Sequence, residues 1–177
     1  MSTAHIYSIV IQPEGLEYGE TVERYLRFPI QAGYLIANHG LQGDQKAGHH
    51  PNRQLNLLSY EWLEGLRPKG YRTGPGDFGE QIILQGLPLE SLQPGDRLQL
   101  GAEACIEITK PRTGCSRLEA AQGQRLEGLG GPVGQLARVI TGGEIRVGDP
   151  VRLLKRDFVE EGEAINQEFK MDHQFNE

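Results

Sequence analysis

Apolar residues recur along most of the chain in short runs with a period of two rather than 3.6, and each run stops at glycine or proline. HIYSIVIQ (5–12) is rich in β-branched and aromatic residues and ends at Pro13-Glu14-Gly15, which predicts a strand and a turn. Residues 16–32 mix charge and aromatics without a clear period and are read as holding one strand. Residues 33–54 begin as a strand and become a long loop, and QLNLLS (54–59) is short and apolar. SYEWLEGL (59–66) places Trp62, Leu63 and Leu66 on one helical face behind Ser59 as N-cap. A loop over 67–79 leads to a strand at 80–86, a turn with at most one helical turn at 87–96, and a strand at 97–101. Residues 102–110 alternate cleanly, with Ala104, Ile106 and Ile108 on one side and Cys105 on the other. A short helix over SRLEAA and a glycine-rich stretch (126–134) follow. Residues 135–154 then read as a hairpin turning at Thr141-Gly142-Gly143.

Many short strands, few helices and no β–α–β rhythm predict a mainly β protein, a closed or nearly closed β-barrel with a few short helices. Residues 1–154 are expected to form one domain. The polar, acidic tail from Lys155, with Phe158, Val159, Ile165 and Phe169 scattered through it, reads either as a docked helix or as a frayed end. Composition agrees: 24 glycines and 10 prolines in 177 residues suit numerous turns and argue against a helical bundle.

A formal charge of −6 argues against a general nucleic-acid binder, because phosphate neutralisation needs a net excess of Lys and Arg on the binding face. Any anionic ligand must be met by a local basic cluster. The first apolar run is too short and interrupted to span a membrane and has no basic residues before it, so a cytoplasmic protein is expected. Cys105 and Cys115 form neither a disulfide framework nor a C-x-x-C pair.

KPRTGCSRLEAA (110–121) holds the most suggestive chemistry. Ser116 and Glu119 have the spacing of a capping box, with Ser116 as N-cap. That spacing puts Cys115 beside a helix N-terminus and near Arg112 and Arg117, and both effects favour a thiolate. Pro111 and Gly114 hold the approach in a turn. Local sequence alone leaves a reactive or metal-binding thiol and a small filler equally open. Cys105, inside an alternating strand, reads as a small hydrophobe.

In residues 40–54, Gly40, Gly43 and Gly48 sit among Lys46, His49, His50 and Arg53, donors suited to an anion; a solvated surface loop is the plainer reading. A metal site from His39, Asp44, His49 and His50 is disfavoured, since adjacent histidines often point apart. Asp77 and Glu80 read mainly as solvated turn acids rather than an acid–base pair. Gly95-Asp96 and Gly148-Asp149 read as turn chemistry.

Five stretches in order resemble the MOSC domain, the family named for the C-terminal domain of molybdenum-cofactor sulfurases. They are GLQGDQ with RQLNLL, GDFGEQIILQGL, LQPGDRLQLG, ITKPRTGCSRL and GQLARVITGGEIRVGDPVRLL, covering about Gly33 to Leu154. The Pro-Arg-x-x-Cys element (111–115) and the closing Gly-Gly-x-x-x-x-Gly-Asp (142–149) are the specific parts. The resemblance implies a strand-rich barrel and gives Cys115 the family's single functional cysteine position, as catalytic residue and metal ligand. It makes Arg53 and Arg112, with Lys46, Gln54, Gln81 and Arg117, candidates to hold a molybdenum–pterin cofactor. Gln81 stands where the family commonly has asparagine. The first function implied is a molybdenum-dependent reductase of N-hydroxylated small molecules, fed by a separate flavin or iron–sulfur protein. The second is a persulfide carrier loaded by a pyridoxal-phosphate desulfurase, and the third is a non-catalytic cofactor store.

Overall fold

The computed structural model describes residues 3–16 and 23–154, and the tail from Lys155 lies outside the described residues. Among the described residues the strands are β1 (His5–Ile11), β2 (Phe28–Ile30), β3 (Ala32–Ile36), β4 (Gly40–Leu41), β5 (Leu55–Ser59), β6 (Ile82–Gln85), β7 (Arg97–Leu100), β8 (Ala104–Pro111), β9 (Gln135–Thr141), β10 (Gly143–Arg146) and β11 (Val151–Leu154). Two short helices, α1 (Tyr60–Leu66) and α2 (Ser116–Gln122), complete the mainly β architecture. One sheet runs β11-β7-β8-β9-β5-β6-β1-β2 and a second runs β10-β3-β4. Both orders are linear, so the predicted barrel is not closed by a strand ladder. Backbone bonds from Val151 N to Ala4 O and from Ile6 N to Asp149 O nevertheless join the region of β1 to that of β11.

β5 explains how the molecule is layered. Every residue in it is buried, as expected of a strand covered on both faces. Leu55 and Leu57 point into a large apolar core with Ile6, Ile9, Ile82, Leu84, Leu98, Ile106 and Val139. Leu58 joins a smaller one on the other face, with Leu63, Leu66, Phe78, Ile83, Leu118 and Val133. The second core lies under α1 and α2 and carries the site on its rim. β5 and β6 are parallel, linked by a single crossover over 60–81 that the chain's β-rich pattern does not announce. As predicted, α1 starts at Ser59, whose Oγ accepts from Trp62 N at 3.2 Å, and buries Leu63 and Leu66.

The expected hairpin over 135–154 does not form. β9 pairs with β8 and β5, β10 pairs with β3, and β11 pairs with β7. Thr141-Gly142-Gly143 instead carries the chain from one sheet to the other. A Cβ on Gly142 would lie 2.7 Å from Leu35 O and one on Gly143 3.0 Å from Ala104 N, so close backbone crossing, not turn geometry, requires these glycines. Gly95 and Gly148 do occupy left-handed turn positions, and Asp96 and Asp149 accept backbone N–H bonds from Gln93 and Arg146. No helix of the described residues is long and apolar enough to cross a membrane.

Candidate functional site

The site gathers four segments: residues 25–27 before β2, 42–48 after β4, 74–81 before β6, and 112–115 between β8 and α2, continued by the first turn of α2. At its base is a buried ion pair, Arg27 Nη1 to Asp44 Oδ2 at 2.9 Å, with side-chain exposures of 0% and 1%. Asp44 also accepts from Gln12 N at 3.0 Å, Lys46 N at 3.0 Å and Gln81 Nε2 at 3.3 Å. The bond from Lys46 N is an Asx turn, and it aims the Lys46 ammonium over the Tyr25 ring, 6.0 Å from its centroid.

Loop 74–81 is tied from within. Glu80 is fully buried, and its carboxylate accepts from Gly76 N and from Phe78 N at 3.2 Å. Burial holds the Glu80 carboxyl above its usual range, against the pull of the Gly76 and Glu80 backbone N–H groups and of Arg27 and Arg112. Gln81 accepts from Asn56 N at 2.8 Å and bridges that strand to Asp44. Gly76 and Gly79 have positive φ, and a Cβ on either would lie 2.9 Å from Arg27 or Tyr25, so the loop fits against residues 25–27 only with glycines there.

Arg112 is 8% exposed and donates through Nη2 to Phe78 O at 2.7 Å. Its backbone is held at both poles, by Gly134 O and by Val133 N. Burial lowers its affinity for the proton, while Tyr25, Glu80 and Cys115 act in the opposite direction and Arg27 adds to the lowering. Among the described residues, three buried donor atoms in this group have no hydrogen-bond partner: Arg27 Nε, Arg27 Nη2 and Arg112 Nη1. Each such orphan costs about 1–3 kcal/mol.

Cys115 is exposed and is itself the N-cap of α2, its carbonyl accepting from Leu118 N and Glu119 N. The predicted capping box is absent: Ser116 is the first helical residue, no side chain caps the helix, and Glu119 Oε1 accepts from Leu126 N at 3.2 Å instead. The far end of α2 is fixed by Gln122, which accepts from Arg72 N and donates to Arg72 O and Asp77 O. A Cβ on Gly114 would lie 2.3 Å from Leu126 Cδ1, which sets the path into Cys115.

Of the candidate residues, Lys46, Arg112, Cys115, Arg117 and Gln81 come together here. Arg112 responds to Cys115, and Lys46 responds to Arg27, Arg112 and Arg117. Gln54 sits apart, its amide bound to Pro51 O and Val139 N. Arg53 is exposed on the loop leading into β5, where its N–H binds His50 O, and His50 lies on a separate open cleft of about 340 Å³ with Lys110 and Arg138. Among the described residues no three of His, Cys, Asp and Glu gather to hold a metal ion. Asp77 accepts from Gly74 N, a turn role, and Cys105 lies half-buried on β8, its thiol pushed up by burial. Arg27 and Tyr25 are not evident from sequence, while Asp44 stands there in the GLQGDQ stretch and as a disfavoured metal ligand, not as the partner of an arginine.

The site thus brings two buried arginines, Arg27 and Arg112, to the neighbourhood of one exposed cysteine on a strand-rich domain. Residues 44–152 match the MOSC domain, and the chain belongs to that family. It is 28% identical over 127 residues, 69% of its length, to a Gibberella moniliformis protein named Reductase, and it spans 22% of that protein. Its fold is like that of YiiM from Escherichia coli, at 25% identity and a TM-score of 0.61 over 85% of this chain and 70% of that one. YiiM from Geobacillus stearothermophilus gives 21% identity and a TM-score of 0.65, covering 88% and 77% of the two chains.

Proposed function

We propose that the chain binds a molybdenum–pterin cofactor and reduces N-hydroxylated small molecules, with Cys115 as the protein's ligand to the metal. The carrying observation is the set of three unpartnered buried donors on Arg27 and Arg112, next to an exposed cysteine. Donors of this kind suit the phosphate of such a cofactor, since guanidinium groups match oxyanions in charge and fork geometry. The cofactor, when bound, supplies a redox metal that a soft thiolate can ligate, with an open position for substrate oxygen.

The chain's own residues then have distinct tasks. Arg27 and Arg112 neutralise and orient the anion, and Asp44 with Gln81 fixes the loop that bears Lys46. The helix start and the Gln122 clamp hold Cys115 in place. The net change converts R–NH–OH, two electrons and two protons into R–NH2 and water. A separate flavin or iron–sulfur protein supplies the electrons. The exposure of Cys115 favours a second reading, a persulfide carrier that takes sulfur from a desulfurase and presents it to an acceptor.

Molybdenum per chain, measured after purification from a host that makes the cofactor, tests this beside Cys115→Ala. The expected result is near-stoichiometric metal and hydroxylamine reduction in the wild type, both lost in a variant that stays folded. Metal without reductase activity would mark a cofactor store. Absence of metal from the wild type, with persulfide on Cys115, would establish the carrier, and a fully active Cys115→Ala protein would sink both readings.

A further inference from the structure

The cleft of about 340 Å³ that holds His50, Lys110 and Arg138 shares no lining residue with the four segments around Cys115. The local sequence builds it. β8 alternates buried Ile106 and Ile108 with half-buried Glu107 and Thr109, and the alternation breaks at a β-bulge between Ile108 and Lys110. Thr109 is the extra residue, so Lys110 lines the cleft beside it instead of following Ile108 into the core.

The walls are tied to that strand. Thr109 Oγ1 lies 2.7 Å from Asn52 O, which holds the turn over 50–52. Gly95 N donates to Ile108 O and Ile108 N donates to Asp96 O, both at 2.8 Å, which fixes the wall formed by Pro94 and Gly95. Asn52 N donates to His50 Nδ1 at 3.1 Å, so the neutral imidazole carries its hydrogen on Nε2 and stays a donor.

The charges do not balance. Glu107 is the one carboxylate lining the cleft. It accepts from Arg138 Nη2 at 2.7 Å and from Arg97 Nε at 3.0 Å, one arginine on each neighbouring strand. The Asp96 carboxylate is turned to Gln93 N, at 2.7 Å. Among the described residues no carboxylate is ion-paired with Lys110. Arg97, Arg138 and Lys110 thus face a single acid, a local positive excess in a chain of net charge −6.

We propose that this cleft binds a small phosphate dianion, free or esterified, with Lys110, Arg138 and His50 as its donors. Glu107 is engaged by two arginines, so it fixes the Arg138 fork instead of repelling the anion. The charge excess suits a dianion better than a monocarboxylate, and a concave site of this volume suits a small molecule better than the flat face of a protein. The site stands whatever Cys115 does.

Backbone amide NMR of the full chain, titrated with inorganic phosphate and with glycerol phosphate at constant ionic strength, tests it. The amides of Asn52, Gly95, Thr109 and Lys110 are expected to shift together and to saturate. Lys110→Gln, at an exposed position, should weaken that binding by roughly tenfold without changing thermal unfolding, and Lys110→Glu should abolish it. Saturation by either probe supports the site, and the tighter of the two tells the ester from the free ion. Cleft amides that stay still, or that chloride shifts equally at the same ionic strength, would overturn the proposal. So would unchanged binding in both Lys110 variants, or acetate binding as tightly as phosphate. A response to polyglutamate alone would overturn it in favour of an acidic protein partner.

Discussion

Arg27 lies between Leu26 and Phe28, and the chain turns the arginine inward and the two apolar residues outward, at 37% and 50% exposure. Burying a guanidinium is tolerable only with a partner, and Asp44 is that partner. Asp44→Ala should therefore cost about 3–5 kcal/mol, because it strands a buried charge; urea unfolding of the purified variant measures it. Lys46 gives a second, opposite effect. Its folded pKa of about 8 lies below the unfolded value of 10.5, so its burial penalty is fully present below pH 8 and is relieved as pH rises towards 10.5. The stability gained by Lys46→Gln in cofactor-free protein should thus be greatest at neutral pH and shrink between about pH 8 and 10.5, as thermal melts at several pH values would show. Lys46, Arg112 and Cys115 were legible because each sits in a motif with a chemical rationale. Arg27 was not: an L-R-F triplet in a segment without period reads as apolar-in and charge-out, and only the distant Asp44 inverts it.

At the level of elements, strand alternation located β1, β6, β7 and β8 to within a few residues, and the Ser59 cap located α1. Failures came where long-range pairing, rather than local pattern, decides the outcome. An apolar run, Thr-Gly-Gly and another apolar run are as good a hairpin locally as a sheet change, and Leu35 and Ala104 choose between them from far away in sequence. The start of α2 is similar, since Glu119 is drawn to Leu126 N and leaves Cys115 at the cap. Gly134 shows how tightly one junction is drawn. Its φ is +87°, and a Cβ there would lie 2.2 Å from Leu57 O. Gly134→Ala should lower stability by an amount on the order of 3 kcal/mol. The same change should weaken anion binding, because Gly134 O holds the backbone of Arg112. Denaturant unfolding and phosphate titration by calorimetry read the two effects separately.

Across the described fold, two apolar cores back onto one pair of strands, the fully buried β5 and β6 with its three buried apolar residues, and the site stands on the rim of the smaller core. Composition made the β-rich class legible, but not the open sheet order or the parallel crossover, which depend on which strands meet. At the β2 edge, Pro29 has no N–H to offer a further strand, a guard against unwanted edge pairing. The opposite flank closes differently. Val151 N–H binds Ala4 O, Ile6 N–H binds Asp149 O, and Gly148 N–H binds Ile6 O, so the two extremities of the described fold are sutured side by side. A unit whose way in and way out share a doorway can be spliced into a longer polypeptide with two short joins. Neither join would have to pass through the Arg27–Arg112–Cys115 cluster or either core.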